Sequence, residues 1–350
     1  VLAAPGDDRP GSRAAAAAVG EQEPLNRLKL LVGLGISVGL LGYLVWTVDV
    51  HELWAVLGQT RWEWVVVCSA LGPLTIWTRG RRWWYLFPPG SEPPGLVPAT
   101  MIGYMVNNVL PLRAGEVVRV YVVARRWGHG FWTALATLIV ERVLDSLVIV
   151  FIMAVLVLLI PVPRTVEIGA AVLLAADLVA IAVLCAMAVA PHRAGELLRR
   201  WTRRWPALEQ RVAGILQTFT RGLEGIRTRA HLAPLVAWTV IVWALPVFTT
   251  WTMFQALRLD LPWVAAWVVL AFVGLGVAIP AAPGYIGVFH AAATVALTIF
   301  GVPTTTAFGY ALLFHATQIL PTTVVGWIYL VREHLTLADA TAHRPTPVGD

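Results

Sequence analysis

Of the 350 residues, 58% are hydrophobic and only 13% charged, with a mean hydropathy of +0.72. That composition excludes a water-soluble globular domain and makes the chain an integral membrane protein. The 26 basic and 20 acidic residues leave a net charge of +6, and every base except Lys29 is an arginine. Arginine suits bidentate contact with phosphate, but the charge alone names no partner. Cys68 and Cys185 both sit inside apolar runs, without the spacing of a disulfide framework or a zinc site.

Residues 1–24 are rich in Ala, Pro, Gly and charge without periodicity, which predicts a disordered cytoplasmic tail rather than a secretory signal. From residue 25 to 332 the chain reads as one transmembrane region. A bilayer-crossing helix needs about 20 apolar residues. Residues 28–48, 131–160, 168–190, 235–257 and 308–331 meet that requirement, and 62–78, flanked by tryptophans and followed by "RGRRWW", makes a sixth span. Arginine collects on one side of this arrangement. External loops hold Arg61, Arg164 and Arg258, whereas Arg79, Arg81, Arg82, the arginines of 193–229 and Arg332 fall on the other face. The bias predicts a plasma-membrane protein with both termini cytoplasmic, the tail 333–350 included.

Two stretches are not simple spans. Residues 96–128 and 263–300 each consist of two short apolar runs joined at a proline-glycine break. The first reads as a re-entrant pair of half-helices entering from the cytoplasm; the second reads either as a re-entrant pair entering from outside or as two ordinary spans. With both re-entrant, the fold is an all-α polytopic membrane protein of about six spans plus two broken helix pairs, arranged as an inverted repeat of halves 25–160 and 166–332. Pro111 and Gly115 recur as Pro280 and Gly284, both 169 residues on (280 − 111, 284 − 115). Inverted repeats with discontinuous helices place a substrate site where the breaks meet. Between the halves, residues 191–234 form a basic amphipathic linker: Leu208, Val212, Ile215, Leu216, Phe219, Leu223 and Ile226 recur at helical spacing beside Arg211, Arg221, Arg227 and Arg229. It is expected to lie on anionic headgroups.

Backbone interrupted at membrane depth must be buried in protein or line a wet cavity. The first break, "NNVLPLRAGEVVR", offers Arg113 and Arg119 to fork onto phosphate oxygens, Asn107 and Asn108 to donate amide hydrogens, and Glu116 to orient an arginine. The following span carries Glu141, Arg142 and Asp145 in "LIVERVLDSLVIV", charges that are costly in hydrocarbon. These two motifs together hold three positive and three negative charges, so complete internal pairing is the competing reading. At the second break, Pro283, Gly284 and Gly287 let a headgroup approach the backbone, and His290 follows; His315 and Gln318 share a face of the last span, and Asp177 is a further buried acid. No nucleophile triad, HExxH, P-loop or metal-ligand spacing occurs. No cofactor, metal or nucleic-acid partner is expected.

The run "GYMVNNVLPLRAGEVVRV", the "ERVLD" of the next helix and "PAAPGYIGVFHAA" before the last span, taken in that order, resemble the flippase-like transmembrane domain of lysylphosphatidylglycerol synthases across residues 28–332. The resemblance implies movement of an anionic phospholipid or polyprenyl-phosphate lipid between leaflets, and it implies neither enzymatic activity nor aminoacyl transfer, which in two-function members resides in a separate soluble domain. The alternatives are a membrane-embedded glycosyltransferase using a lipid-phosphate donor, for which Asp49 and Glu52 are the only outward acid pair, and a non-lipid solute transporter.

Overall fold

The computed structural model describes residues 31–32, 34–110, 113–128, 130–159, 164–189, 214, 228–277 and 282–335. Every regular element among them is helical. The expected tail 1–24, the tail beyond Leu335, and the amphipathic stripe 208–226 of the linker lie outside the described residues.

Helix α1 (Leu34–Thr47) bends by 87° into α2 (Val50–Gly58). Asp49 makes the corner: its Oδ1 accepts from the backbone N–H of His51 at 2.8 Å and of Glu52 at 3.1 Å, capping the first turn of α2. Helix α3 (Trp62–Trp84) runs 23 residues, six beyond the predicted end at Thr78, so "RGRRWW" is helical rather than a loop. After α4 (Leu96–Val109) and α5 (Ala114–Trp127) come the long helices α6 (Phe131–Leu159) and α7 (Arg164–Val189), then α8 (Arg229–Ala256). The chain continues through α9 (Trp263–Gly276), a 3₁₀ turn at Pro283–Tyr285, α10 (Val288–Thr298) and α11 (Thr304–Arg332). Among the described residues, α8 and α11 are long and apolar enough to cross a membrane, and the bent pair α1–α2 makes a third crossing if taken as one span. The fold is thus all-α with at least two or three long apolar helices, and most of the described residues in each stretch predicted as a span are helical.

The two broken stretches are helical hairpins. Arms α4 and α5 have 14 residues each, and α9 and α10 have 14 and 11. At 1.5 Å per residue an arm reaches about 21 Å or less, short of the ~30 Å hydrocarbon core. Glycine lets the first pair of arms close. A Cβ on Gly115 would lie 1.8 Å from the Gly103 carbonyl oxygen, and one on Gly95 would lie 1.7 Å from the Trp127 ring, so the open ends of α4 and α5 lie together. In the second hairpin Gly276 meets Ala292 and Val288 in the same way.

Helices α3 and α8 pack antiparallel along their length. The Arg61 N–H donates to the Ala256 carbonyl at 2.8 Å, Trp64 meets Trp251 edge-on at 5.8 Å, Cys68 Sγ lies 3.7 Å from the Thr249 carbonyl, Trp77 meets Trp238, and His231 Nδ1 lies 3.1 Å from the Tyr85 carbonyl. Cys68 is therefore a core residue. Helix α11 lies against α4, with Gly326 close enough to Met105 that a Cβ would come within 2.4 Å. These contacts hold both hairpins against the same long helices and bring their tips together.

Candidate functional site

The tip of the first hairpin begins at Asn107 and Asn108. Asn107 is buried, and its Oδ1 accepts from the Gly115 N–H at 2.8 Å, so it satisfies one of the free donors at the start of α5. The Asn108 amide donates to Thr323 Oγ1 on α11 at 2.9 Å. Both amides anchor the tip. Arg113 enters α5 with φ of 54°, a left-handed conformation unusual for a residue with a Cβ. Its guanidinium is exposed, donates to the Val277 carbonyl at the end of α9, and lies 5.8 Å over the Tyr285 ring. Gly284 completes the junction: a Cβ there would come within 3.3 Å of the Asn108 carbonyl. The two breaks expected to face each other thus touch. Pro111 and Pro280 lie outside the described residues, and Pro283 opens the 3₁₀ turn.

Beneath the tips lies a charge cluster larger than the sequence motifs foretell. Arg119 on α5 reaches Glu141 on α6 through two contacts, at 2.6 and 3.3 Å, while its guanidinium stacks 3.9 Å over Trp83. Arg142 contacts Glu141 at 2.6 Å, and Glu116 and Asp145 each at 3.4 Å. Helix α3 adds two further bases. Arg82, fully buried, sits 2.7 Å from Asp145 and 3.5 Å from Glu141, and Arg79 sits 2.8 Å from Asp145. With Arg113 at the rim, five arginines (79, 82, 113, 119, 142) face three acids (116, 141, 145), an excess of two positive charges (5 − 3).

That tally corrects the expectation of three against three. Glu141 and Asp145 hold Arg79, Arg82 and Arg119, Arg142 touches all three acids, and Arg113 bonds to a backbone carbonyl instead of an acid. Exposure follows the same division: the Arg82 and Glu141 side chains are sealed, whereas Arg142 is 35% and Glu116 21% exposed. Arg113 and Arg142 are therefore the more exposed guanidiniums of the group, although Arg142 also contacts all three acids. At the rim the Tyr285 ring lies under the Arg113 guanidinium, 5.8 Å from it. Arg119, by contrast, is committed to Glu141 and Trp83.

The family model for the lysylphosphatidylglycerol synthase transmembrane region matches residues 30–326. The chain belongs to that family. The match is to a transmembrane region, so this family member carries a lipid-associated membrane unit. A curated relative, Glycosyltransferase AglD of Haloferax volcanii, is 26% identical over 302 residues, which cover 77% of this chain and 48% of the relative. The chain spans about half the length of that relative. No solved structure matches.

Other candidate residues find local structural partners in this member of the family. His290 is buried, its Nδ1 accepts from the Gly287 N–H at 3.2 Å, and its ring meets His315 edge-on at 4.6 Å. His315 Nε2 in turn lies 2.7 Å from the Gly284 carbonyl. Gly287 is obligatory on two counts: φ is +88°, and a Cβ would lie 2.5 Å from the Ser37 carbonyl. Ser37 also accepts from the Ala282 N–H at 2.9 Å, so α1 buttresses the second tip. The Gln318 amide points at Cys68, 3.7 Å away. No group of three or more metal-ligating side chains occurs among the described residues.

Proposed function

We propose that this member of the lysylphosphatidylglycerol synthase transmembrane-region family moves a phosphate-bearing anionic lipid, a phospholipid or a polyprenyl-phosphate-linked lipid, between leaflets. The phosphate docks on Arg113 and Arg142 where the hairpin tips meet, with Tyr285 as one wall, and the tails stay in the bilayer. The observation that carries the reading is the surplus of two positive charges beside interrupted backbone, the arrangement expected at an anion site within a membrane. In this reading Glu141 and Asp145 fix Arg79, Arg82 and Arg119 as a rigid floor, while Asn107, Asn108, Gly115, Pro283, Gly284, Gly287 and His290 shape the tips and Glu116 orients Arg142. Pro111 and Pro280 belong to the same breaks.

The proposed cycle is alternating access between two halves of opposite orientation, with six spans, two re-entrant hairpins and cytoplasmic termini. Helix starts support the repeat: α3 and α8 begin 167 residues apart (229 − 62), α4 and α9 also 167 (263 − 96), and α6 and α11 173 (304 − 131). The antiparallel contact of α3 with α8 is what an inverted pair produces. Reconstitution in liposomes with fluorescent phosphatidylglycerol and fluorescent polyprenyl-phosphate tests the reading. Wild-type protein should move at least one of them, and Arg113→Ala should slow that movement at least about tenfold, the effect of removing one charge-assisted contact. Undiminished transport by Arg113→Ala refutes the assigned site.

The glycosyltransferase named among the relatives favours a second reading, in which the chain acts on a lipid-phosphate sugar donor. The outward acid pair gives it little chemistry: the Asp49 carboxylate is occupied in capping α2. Asp49→Asn keeps a capping oxygen but removes the base, so an acid-dependent transferase would lose its activity in that variant while a lipid transporter would keep its own.

A further inference from the structure

Helix α1 stands at the edge of the molecule, with Val38, Val45 and Trp46 exposed as a lipid-facing surface. It belongs to the apolar run 28–48, whose 21 residues (48 − 28 + 1) reach about 31 Å as a helix, enough to cross the ~30 Å hydrocarbon core. The crossing is thus complete before the chain turns at Asp49. The 87° bend there lays α2 across the axis of α1, roughly in the plane of the membrane.

The nine residues of α2 divide among three sides at about 100° per residue. Leu53, Val56 and Leu57 are half-buried, and a Cβ on Gly309 of α11 would lie 3.1 Å from Leu53 and 3.5 Å from Val56, so this side rests on protein. Val50 and Trp54, one turn apart, make a second side that is 55% and 70% exposed. His51, Glu52 and Ala55 make the third and are also exposed. A side on protein, an apolar side left open and a polar side beyond it suit a helix lying at a membrane surface.

The level of α2 agrees with that placement. Gly309 adjoins Tyr310, whose ring lies 5.4 Å from Phe254, and two residues further the Ala256 carbonyl accepts from the Arg61 N–H at the start of α3. Trp62 opens α3 at this end, and Trp263, stacked 5.0 Å from Trp251, opens α9; both are about half exposed. With Trp46 and Trp54 they form the belt of tryptophans expected at a membrane–water boundary. Charge narrows the partner further. From Trp46 to Gln59 the chain carries Asp49 and Glu52 and no lysine or arginine, so nothing in it attracts anionic headgroups.

We propose that α2 is an interfacial helix: its Val50–Trp54 edge enters the headgroup–acyl boundary of the bilayer at the end where α3 and α9 begin, through apolar contact that needs no anionic lipid. His51, Glu52 and Ala55 face water. The bent pair α1–α2 is then one crossing followed by a surface helix, and the contact holds whether or not the hairpin tips bind a phosphate.

Single nitroxide-labelled cysteines test each side. In phosphatidylcholine nanodiscs, with Cys68→Ala and Cys185→Ala removing the native thiols, labels at Val50→Cys and Trp54→Cys should collide more with oxygen than with a water-soluble nickel chelate, at a depth of about 5–10 Å. Labels at His51→Cys and Ala55→Cys should show the reverse, and adding phosphatidylglycerol should change none of the four. Nickel-dominated collisions at 50 and 54 put the edge in water, and oxygen-dominated collisions at all four put α2 in hydrocarbon as the second half of a bent span. Shielding of 50 and 54 from both reagents, with spin–spin broadening, puts a second copy of the chain there, and a shift on adding phosphatidylglycerol makes the contact electrostatic. Each of these outcomes overturns the proposal. Should the substituted background fail to fold, the protein with native cysteines supplies a second measurement. Wild-type emission minus that of Trp54→Phe isolates Trp54, and phosphatidylcholine brominated near the headgroup should quench it more than phosphatidylcholine brominated at the chain ends. Equal quenching by the two lipids, or none by either, overturns the placement.

Discussion

Neutralising Glu141 is the sharpest perturbation the cluster offers. Its carboxylate is fully buried and accepts from Arg119 and Arg142 at 2.6 Å each, with Arg82 at 3.5 Å. Glu141→Gln keeps the shape but leaves five arginines against two acids, and the new amide points N–H groups at guanidinium donors. Removing one partner from a buried pair costs about 3–5 kcal/mol, since the remaining charge stays desolvated and unpaired. At roughly 2 °C per kcal/mol for a chain of this size, the melting temperature in detergent should fall by about 6–10 °C. Glu63→Gln serves as the control: its pair with Arg61 is exposed, and no change is expected. The double variant Arg119→Met, Glu141→Gln restores the surplus of two charges and should recover at least about half of the loss, because the coupled partners are removed together. A fall of less than about 2 °C for Glu141→Gln, the range of a surface pair, would show that water or rearrangement already screens the cluster, and the division into a sealed floor and an open rim would fail.

Three other substitutions probe separate links of the argument. Gly115→Ala puts a methyl 1.8 Å from the Gly103 carbonyl and should force α4 and α5 apart, lowering stability by about 3 kcal/mol or more; a melting temperature equal to wild type would mean that the hairpin arms are not in contact. Arg113→Ala, in contrast, removes an exposed side chain and should leave the melting temperature within about 2 °C while transport falls, so that loss of folding and loss of function separate. Asp49→Ala, unlike Asp49→Asn, deletes the oxygen that caps α2 and should cost about 1 kcal/mol without touching lipid movement.

Much of the fold is legible in the sequence because the bilayer forces backbone into helices of recognisable length and tolerates interruption at few places. The Pro-Gly breaks mark the hairpin tips for that reason, and "ERVLD" marks the buried acids because charge in hydrocarbon has no cheap alternative explanation. Arg79 and Arg82 escape the same reasoning. An arginine pair after an apolar run satisfies the rule for an interfacial anchor, and the local pattern carries no sign that α3 continues inward for another six residues. Only the packing of α3 against α6 brings Arg82 to Asp145, 63 positions later (145 − 82). The role of Arg119 is hidden for a related reason: pairing with a guest and pairing with Glu141 require the same residue types, and the choice depends on a distance between two helices.

The contact at the tips bears on how a site that is closed in this structure can also be open. The Arg113 guanidinium, offered in the proposed function to the lipid phosphate, is the group that ties the first hairpin to the Val277 carbonyl of the second. A neutral carbonyl and a phosphate compete unequally for it, since a charge-assisted bond is roughly twice as strong as a neutral one. In the proposed function an arriving phosphate would displace Val277 and remove one of the contacts between the two hairpins, leaving the approach of Gly284 to Asn108 in place. The backbone at Arg113 is left-handed, a conformation that costs about 1–2 kcal/mol for a residue with a Cβ. Arg82 and Arg119 are poor candidates for the same exchange, because both are buried and already paired with carboxylates. In the proposed cycle the exchange of partners would then begin at the rim, with the paired cluster beneath as the fixed charge on the side of the first hairpin.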